Sequence, residues 1–236
     1  MSVTEPPTSL DGPDAFWGRG DGCWHLRWTG TLVIGVLALL ALSVDTWVSD
    51  RFSGDHRPWR LVQSLTLVGA VFPVLLVLVV LSVFANRRRL YVGFLVPLLA
   101  HLPILHALKW AIGRLRPLAE QGAFAWQPFS SVQYADAFPS GHTTTATVFA
   151  LLLATYLPRL RWVLYPWLCL VGAERVVTRM HFLSDVLTGY ALGAAIVYTS
   201  VHCLGPSFYH PRLPVQQTAD WQTADRRHKG SADAGA

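Results

Sequence analysis

Charge is scarce in this chain. Only 14% of its 236 residues are Asp, Glu, Lys or Arg, against 52% hydrophobic residues and a mean hydropathy of +0.36, a balance too apolar for a soluble fold of this length. Acidic residues are the rarer sign, 14 against 19 basic, which leaves a net charge of +5 and a pI near 9.4. The basic residues stand in short clusters between apolar runs and form no continuous stripe, which argues against a nucleic-acid partner. Cysteine is limited to Cys23, Cys169 and Cys203, odd in number and scattered, so neither a disulfide framework nor a metal-ligand spacing is present. Internal repeats are missing. No basic cluster directly precedes an early apolar core, because Met1 to Gly22 is rich in Pro, Asp and Gly; a secretory signal peptide is not expected, and the first apolar run is expected to stay.

What the chain does have is apolar runs. A bilayer-spanning helix needs about 20 mainly apolar residues, and six stretches approach that length: Thr31 to Val48, Ser64 to Ala85, Leu90 to Leu108, Ser140 to Leu157, Trp162 to Val177 and Phe182 to Leu204. The expected fold class is all-α, a polytopic membrane helix bundle with six transmembrane helices. Residues 1–29 are expected to form a cytoplasmic tail with interfacial aromatics, 30–204 the membrane domain, and 205–236 a flexible cytoplasmic tail. Pro73, Pro97 and Pro103 fall inside predicted spans and predict kinks. Gly189 and Gly193 suit close helix packing. Trp17, Trp24, Trp28, Trp47, Trp110 and Trp162 lie near span ends and read as interfacial anchors. The basic loops Arg87-Arg88-Arg89 and Arg159 with Arg161 mark one side as cytoplasmic.

Three polar clusters interrupt the oil: Lys109 with Arg116 and Pro117, then Pro139-Ser140-Gly141-His142, then Arg175 with His181 and Asp185. Charged groups at bilayer depth are costly and persist mainly where they pair, line a cavity or carry function. The stretch from Ser140 to Arg175, at 1.5 Å per residue, is ~53 Å long, enough for one crossing and a return. Both ends therefore emerge on one face, and Lys109 and Arg116 end the preceding span on that same face. With an inside amino terminus, that face is the outer one.

The residue types suit phosphate. Lys109 and Arg116 supply positive charge, and Arg175 adds a planar fork that can hold two phosphate oxygens. Ser140 suits a helix N-cap, and Gly141 lets backbone amides approach an anion. His181 and Asp185 are four apart on one helix face, where a carboxylate can orient an imidazole. Arg175 lies off that face, so a helix break near Thr178 to Met180 is expected. No regular ligand spacing supports a metal at this pair. His101 and His106 in the third span read as polar groups satisfied by neighbouring helices and are left out of the site. Arg114 and Arg179 are extra cations near it, read either as solvated flanking charges or as receivers of a second phosphate.

The order and spacing of these motifs resemble those of the type-2 phosphatidic acid phosphatase superfamily. The resemblance covers the chain from about the third span to the sixth and implies a six-span membrane phosphatase that needs no metal and no cofactor. It implies His181 as the nucleophile that forms a phosphohistidine, Asp185 as its orienter, and His142 as the acid that protonates the leaving oxygen and then activates water. Lys109, Arg116, Ser140, Gly141 and Arg175 are implied to hold the phosphoryl oxygens. Glu174 stands where family members often have serine, before the third-motif arginine.

The expected activity is hydrolysis of a membrane lipid's phosphomonoester or diphosphate, in a bacterial inner membrane with the site facing the periplasm or outside. Candidate substrates are undecaprenyl diphosphate, phosphatidylglycerol phosphate, phosphatidic acid and lipid A phosphate. The expected partners are this lipid and the membrane, with no nucleic acid; the sequence carries no signal for an oligomeric state. The competing class is a lipid-phosphate binder or transporter, for which the cations alone would suffice. A haloperoxidase-like use of the pocket with vanadate is disfavoured by the six spans, because the related oxidases are soluble.

Overall fold

The structure, a computed structural model, describes residues 22–52, 88–156, 158–205 and 208. Among them it is all-helical: α1 (Gly22–Ala41), α2 (Asp45–Arg51), α3 (Arg88–Ile112), α4 (Gly141–Tyr156), α5 (Arg161–Val177) and α6 (Leu183–Leu204), with short 3-10 turns at Pro117–Ala119 and Pro158–Leu160. The expected second span, Ser64 to Ala85, lies outside the described residues, as do the outer parts of both tails. α1 begins at Gly22, inside the segment expected to be tail.

α4 is the centre of the bundle. Its residues Val148 to Ala154 are buried without interruption, and a helix that is apolar all round belongs inside others. Its buried polar side chains are threonines that look after themselves. Thr143 and Thr144 donate to the Ser140 carbonyl, Thr147 to Thr143 and Thr155 to Leu151, so no hydroxyl is left bare in an apolar interior. α6 lies against both α4 and α1. Two glycines make the α4–α6 approach possible. A Cβ on Gly193 would stand 2.7 Å from Thr147 Cβ and 2.8 Å from the Thr144 carbonyl oxygen, and one on Gly189 would stand 2.8 Å from the Ser140 carbonyl oxygen.

The outer surface is the apolar one: Leu32, Val33, Val36, Leu39, Leu40, Leu99, Leu102 and Val163 are all exposed. A bilayer covers such a surface and water does not, and the chain is an integral membrane protein. α3 from Tyr91 to Ile112 and α6 are each long and apolar enough to cross a membrane, and Trp28–Ala41 with Asp45–Arg51 passes the same test as a broken pair. α4 and α5, at 16 and 17 residues, are shorter than a full crossing, since ~1.5 Å per residue leaves them short of a hydrocarbon core ~30 Å thick. Six full-length spans are therefore more than the described residues contain.

The first span differs most from expectation. Thr31 to Val48 reads as one helix, but the chain turns at 42–44 and α2 leaves α1 at 74°. There Leu42, Ser43 and Val44 bond three residues back, to Leu39, Leu40 and Ala41, and the Ser43 hydroxyl caps the Leu40 carbonyl at 2.7 Å. Such tightening and side-chain insertion bend a helix. The bend swings Asp45 inward, where it is fully buried. α3, by contrast, runs unbroken through Pro97 and Pro103.

Because the Gly193 contact leaves no room for a side chain, Gly193→Val is expected to cost about 1–3 kcal/mol, read as a lower unfolding midpoint in detergent. Gly35→Ala, where a Cβ meets nothing within 4 Å, is the matched control and should leave the midpoint unchanged.

Candidate active site

Four helix ends and one loop form the site. Lys109 sits in the last turn of α3. The helix stops at Gly113, whose φ of 61° suits the one residue without a Cβ, and the chain enters a loop from 113 to 140. That loop is laced to itself: Leu115 N donates to Ala125, Arg116 N to Tyr134, Gln127 N to Gly113 and Ala137 N to Arg114. At its end Ser140 N donates to the Asp185 carbonyl at 3.1 Å, which joins the start of α4 to the start of α6. α5 ends at Val177, and Arg179 turns the chain with a φ of 55°, the break expected between Arg175 and His181.

A cavity of about 590 Å³ opens among these ends, lined by Lys109, Arg116, Asp136, Gly141, His142 and His181 together with Trp110, Trp167 and other side chains. His181 is buried, and its Nδ1 lies 2.8 Å from the Ala137 carbonyl oxygen. A carbonyl only accepts, so Nδ1 carries the proton and Nε2 keeps its lone pair. Asp185 was expected to hold this imidazole. Its Oδ2 stands 3.8 Å from His181 Nδ1, beyond hydrogen-bond reach, and instead accepts the Phe182 N–H at 2.8 Å. Asp185 therefore acts on His181 through charge, and the carbonyl does the orienting. Burial holds the His181 imidazole below its ordinary value, against the opposing pull of Asp185.

Arg114 is the largest departure. Read from sequence as a solvated flank or a phosphate receiver, it is fully buried and spends all five donors inside the protein. Nη1 reaches Asp185 Oδ1 at 2.5 Å and Ser184 Oγ at 2.7 Å, Nη2 reaches Asp45 Oδ2 and the Ala123 carbonyl at 2.8 Å, and Nε reaches the same carbonyl at 3.0 Å. Its guanidinium carbon also lies 4.4 Å from the Phe182 ring centroid and 5.2 Å from that of Trp126, a cation–π sandwich. Asp45 completes the cluster by accepting the Ser184 N–H at 3.0 Å. Sequence reasoning missed Asp45, although a carboxylate inside an apolar run is itself a signal.

The remaining cations are also paired. Arg116 holds Asp136 by both edges, Nε to Oδ1 at 2.8 Å and Nη2 to Oδ2 at 2.7 Å. Lys109 donates to the Asp136 carbonyl and lies 3.8 Å from its Oδ2. Burial alone would raise the Asp136 carboxyl, but Arg116 and Lys109 hold it below the ordinary carboxylate range. Arg175, expected on phosphate, is buried with its fork closed on Glu174 through Nη2 to Oε1 at 2.7 Å and Nε to Oε2, and it is not among the cavity walls. Its carbonyl accepts the Met180 and His181 N–H groups at 3.1 Å, which winds the His181 turn onto α5. Ser140 occupies the residue before α4, but its buried Oγ finds no partner and does not cap the helix. Arg179 faces Glu120 at 3.5 Å, away from this cavity. His101 is satisfied, as expected, by the Leu98 carbonyl and Thr145, whereas His106 lines the cavity.

A family model described as the PAP2 superfamily matches residues 90–209. A lipid A 1-phosphatase of Rhizobium johnstonii is 40% identical over 93 residues, 39% of this chain and 38% of that protein. A lipid A 1-phosphatase of Rhizobium etli is 39% identical over 103 residues, 40% of this chain and 44% of that protein. The chain thus matches less than half the length of either relative. Among solved structures, a transmembrane PAP2-type phosphatidylglycerolphosphate phosphatase from Bacillus subtilis superposes with a TM-score of 0.55 at 23% identity, covering 76% of this chain and 94% of that one. LpxE of Aquifex aeolicus superposes with a TM-score of 0.52 at 18% identity, covering 68% and 94%. These likenesses show a shared fold.

Arg114→Ala would strand two buried carboxylates and is expected to cost about 3–5 kcal/mol, whereas Arg179→Ala, paired with exposed Glu120, should cost about 0–1 kcal/mol; thermal unfolding in detergent compares the two. The folded chain also binds a proton at His181 less readily than the unfolded chain does. Stability from this group is therefore complete above the ordinary imidazole value of about 6.5 and is lost as pH falls from there through the lower value of the folded chain. The stability of the wild type relative to His181→Asn should decline over that interval, and a rise on acidification would contradict it.

Proposed function

The chain belongs to the PAP2 superfamily, and on that premise we propose that it is an integral-membrane phosphatase that hydrolyses the phosphomonoester or diphosphate of a membrane lipid through a phosphohistidine intermediate. The observation that carries this reading is the His181 tautomer. With its Nδ1 proton engaged by the Ala137 carbonyl, Nε2 is a free base, in the wall of a cavity that also holds His142, Lys109 and Arg116.

In the proposed sequence, Nε2 of His181 attacks phosphorus as the bond to the lipid oxygen breaks, and His142 gives its proton to that oxygen. His142 then takes a proton from water, whose oxygen attacks phosphorus; the N–P bond breaks and inorganic phosphate leaves. The imidazole gains positive charge on attack. One guanidinium set between two carboxylates leaves the Asp45–Arg114–Asp185 cluster with one net negative charge beside it, which stabilises that state. Lys109, Arg116, the Gly141 amide in the first turn of α4 and the hydroxyl of Ser140, whose own amide is already engaged by the Asp185 carbonyl, take the phosphoryl oxygens. Arg175 is assigned to positioning the His181 turn and to adding positive charge nearby. No metal is required by these steps.

Among candidate lipids, lipid A 1-phosphate leads, because the two Rhizobium relatives described above carry that activity in their names. The site is assigned to the periplasmic or outer face, on the basis of the basic loops at the opposite end. Purified full-length protein screened for phosphate release against lipid A 1-phosphate, phosphatidylglycerol phosphate, phosphatidic acid and undecaprenyl diphosphate tests the reading. His181→Ala is expected to reduce turnover at least about 10³-fold with membrane insertion unchanged. Full residual turnover would refute the nucleophile, and loss of wild-type activity in EDTA would refute the metal-free steps.

A further inference from the structure

Among the described residues, paired charges around the site fall into three groups, and they differ in how much of each anion water can reach. In Arg114 with Asp45 and Asp185, every side chain is 0% exposed. In Arg175 with Glu174 the exposures are 4% and 0%. Opening either pair would leave a charge stranded in a low-dielectric interior. In Arg116 with Asp136 the guanidinium is 17% exposed but the carboxylate is 50% exposed. The cation is rooted in the cavity wall, whereas the anion reaches it from the open side. An ion pair with one well-hydrated partner strands less charge when it opens than a pair buried on both sides, so this pair parts more cheaply than the other two.

Asp136 is also the one acidic side chain among the described residues of the cavity walls. Its two oxygens meet Arg116 edge to edge, and the carboxylate lies near Lys109 as well. Two oxygens on a guanidinium fork with an ammonium alongside is the arrangement in which these cations would hold a phosphoryl group. The carboxylate therefore stands on the positions that phosphate needs.

We propose that Asp136 is a displaceable counter-ion and a specificity determinant: a phosphoryl group enters by replacing its carboxylate on Arg116 and Lys109. This inference rests on the phosphatase reading of the same cavity. A built-in carboxylate with a single charge sets a threshold that an entering group must exceed. A terminal phosphomonoester carries about −1.5 to −2 at neutral pH and exceeds it. A phosphodiester carries one charge and has fewer free oxygens for the fork, so it does not. The membrane around the site consists largely of phosphodiester headgroups, and Asp136 keeps these off the cations while admitting the rarer monoester. The released carboxylate moves into water, for which its half-exposed position prepares it. No bond is made or broken in the exchange.

The test uses purified full-length protein in mixed micelles, comparing wild type with Asp136→Asn and Asp136→Glu. Binding of inorganic phosphate is measured by titration calorimetry. Turnover of a lipid phosphomonoester is measured with and without added phosphatidylglycerol, a singly charged phosphodiester. Asp136→Asn is expected to bind inorganic phosphate about two- to fivefold more tightly, to lower KM by a similar factor, and to become sensitive to phosphatidylglycerol. Asp136→Glu should retain wild-type affinity and indifference to the phosphodiester. If Asp136→Asn binds phosphate more weakly, Asp136 holds Arg116 in place and the inference is overturned. Unchanged affinity and unchanged phosphodiester sensitivity overturn it equally, with the phosphatase reading intact. A wild type that neither binds phosphate nor hydrolyses any lipid phosphate overturns the phosphatase reading, and this inference with it.

Discussion

A single buried guanidinium ties the site to the fold. Arg114 leaves the end of α3, yet its side chain joins Asp45 at the start of α2 to Asp185 and Ser184 at the start of α6. Three elements distant in sequence are thereby pinned at one point. A guanidinium costs much to remove from water, and that cost is offset only when all its donors find acceptors with good geometry. The fulfilled set of five hydrogen bonds means that no one of these elements can shift without stranding charge. The bend between α1 and α2, which breaks an otherwise ordinary apolar helix, acquires its physical reason here: it delivers Asp45 to Arg114.

The site's electrostatics follow a graded pattern. Cations near the cavity have carboxylate partners, but burial of those partners runs from complete for Asp45, Asp185 and Glu174 to half for Asp136. Fully buried pairs behave as scaffold, because separating them is prohibitive. The partly hydrated pair is adaptable. The same chemistry of carboxylate on guanidinium thus serves as a rivet at one depth and as an exchangeable contact at another, and solvent access decides between them.

Several site residues could be read from the chain. Lys109, Arg116, Gly141, His142 and His181 meet around one cavity, and that convergence follows from helix length alone: two helices of comparable span between Ser140 and Arg175 return the chain to the face it left. The break after α5 was legible from the six-residue offset between Arg175 and His181. Less legible were the partners. Asp185 lies at the proper spacing to hold His181, but its carboxylate is taken by Arg114 and the Phe182 amide, and the Ala137 carbonyl takes the imidazole instead. Arg175 has the right type for phosphate but stands next to Glu174, whose two oxygens occupy its Nε and Nη2.

By itself, then, the sequence determined the all-helical membrane architecture, the family, and the face on which the polar clusters gather, because these depend on hydrophobic run length, on local periodicity and on motif order. Only the tertiary structure decided which charges pair. Competition for a guanidinium or an imidazole is settled by distances between groups as much as 71 residues apart, and a carbonyl such as that of Ala137 carries no mark in the sequence that it will be an acceptor. Burial works the same way: Arg114 and Arg116 are two residues apart and alike in chemistry, and the packing of α2 and α6 over one of them makes it a rivet while the other is left facing the cavity.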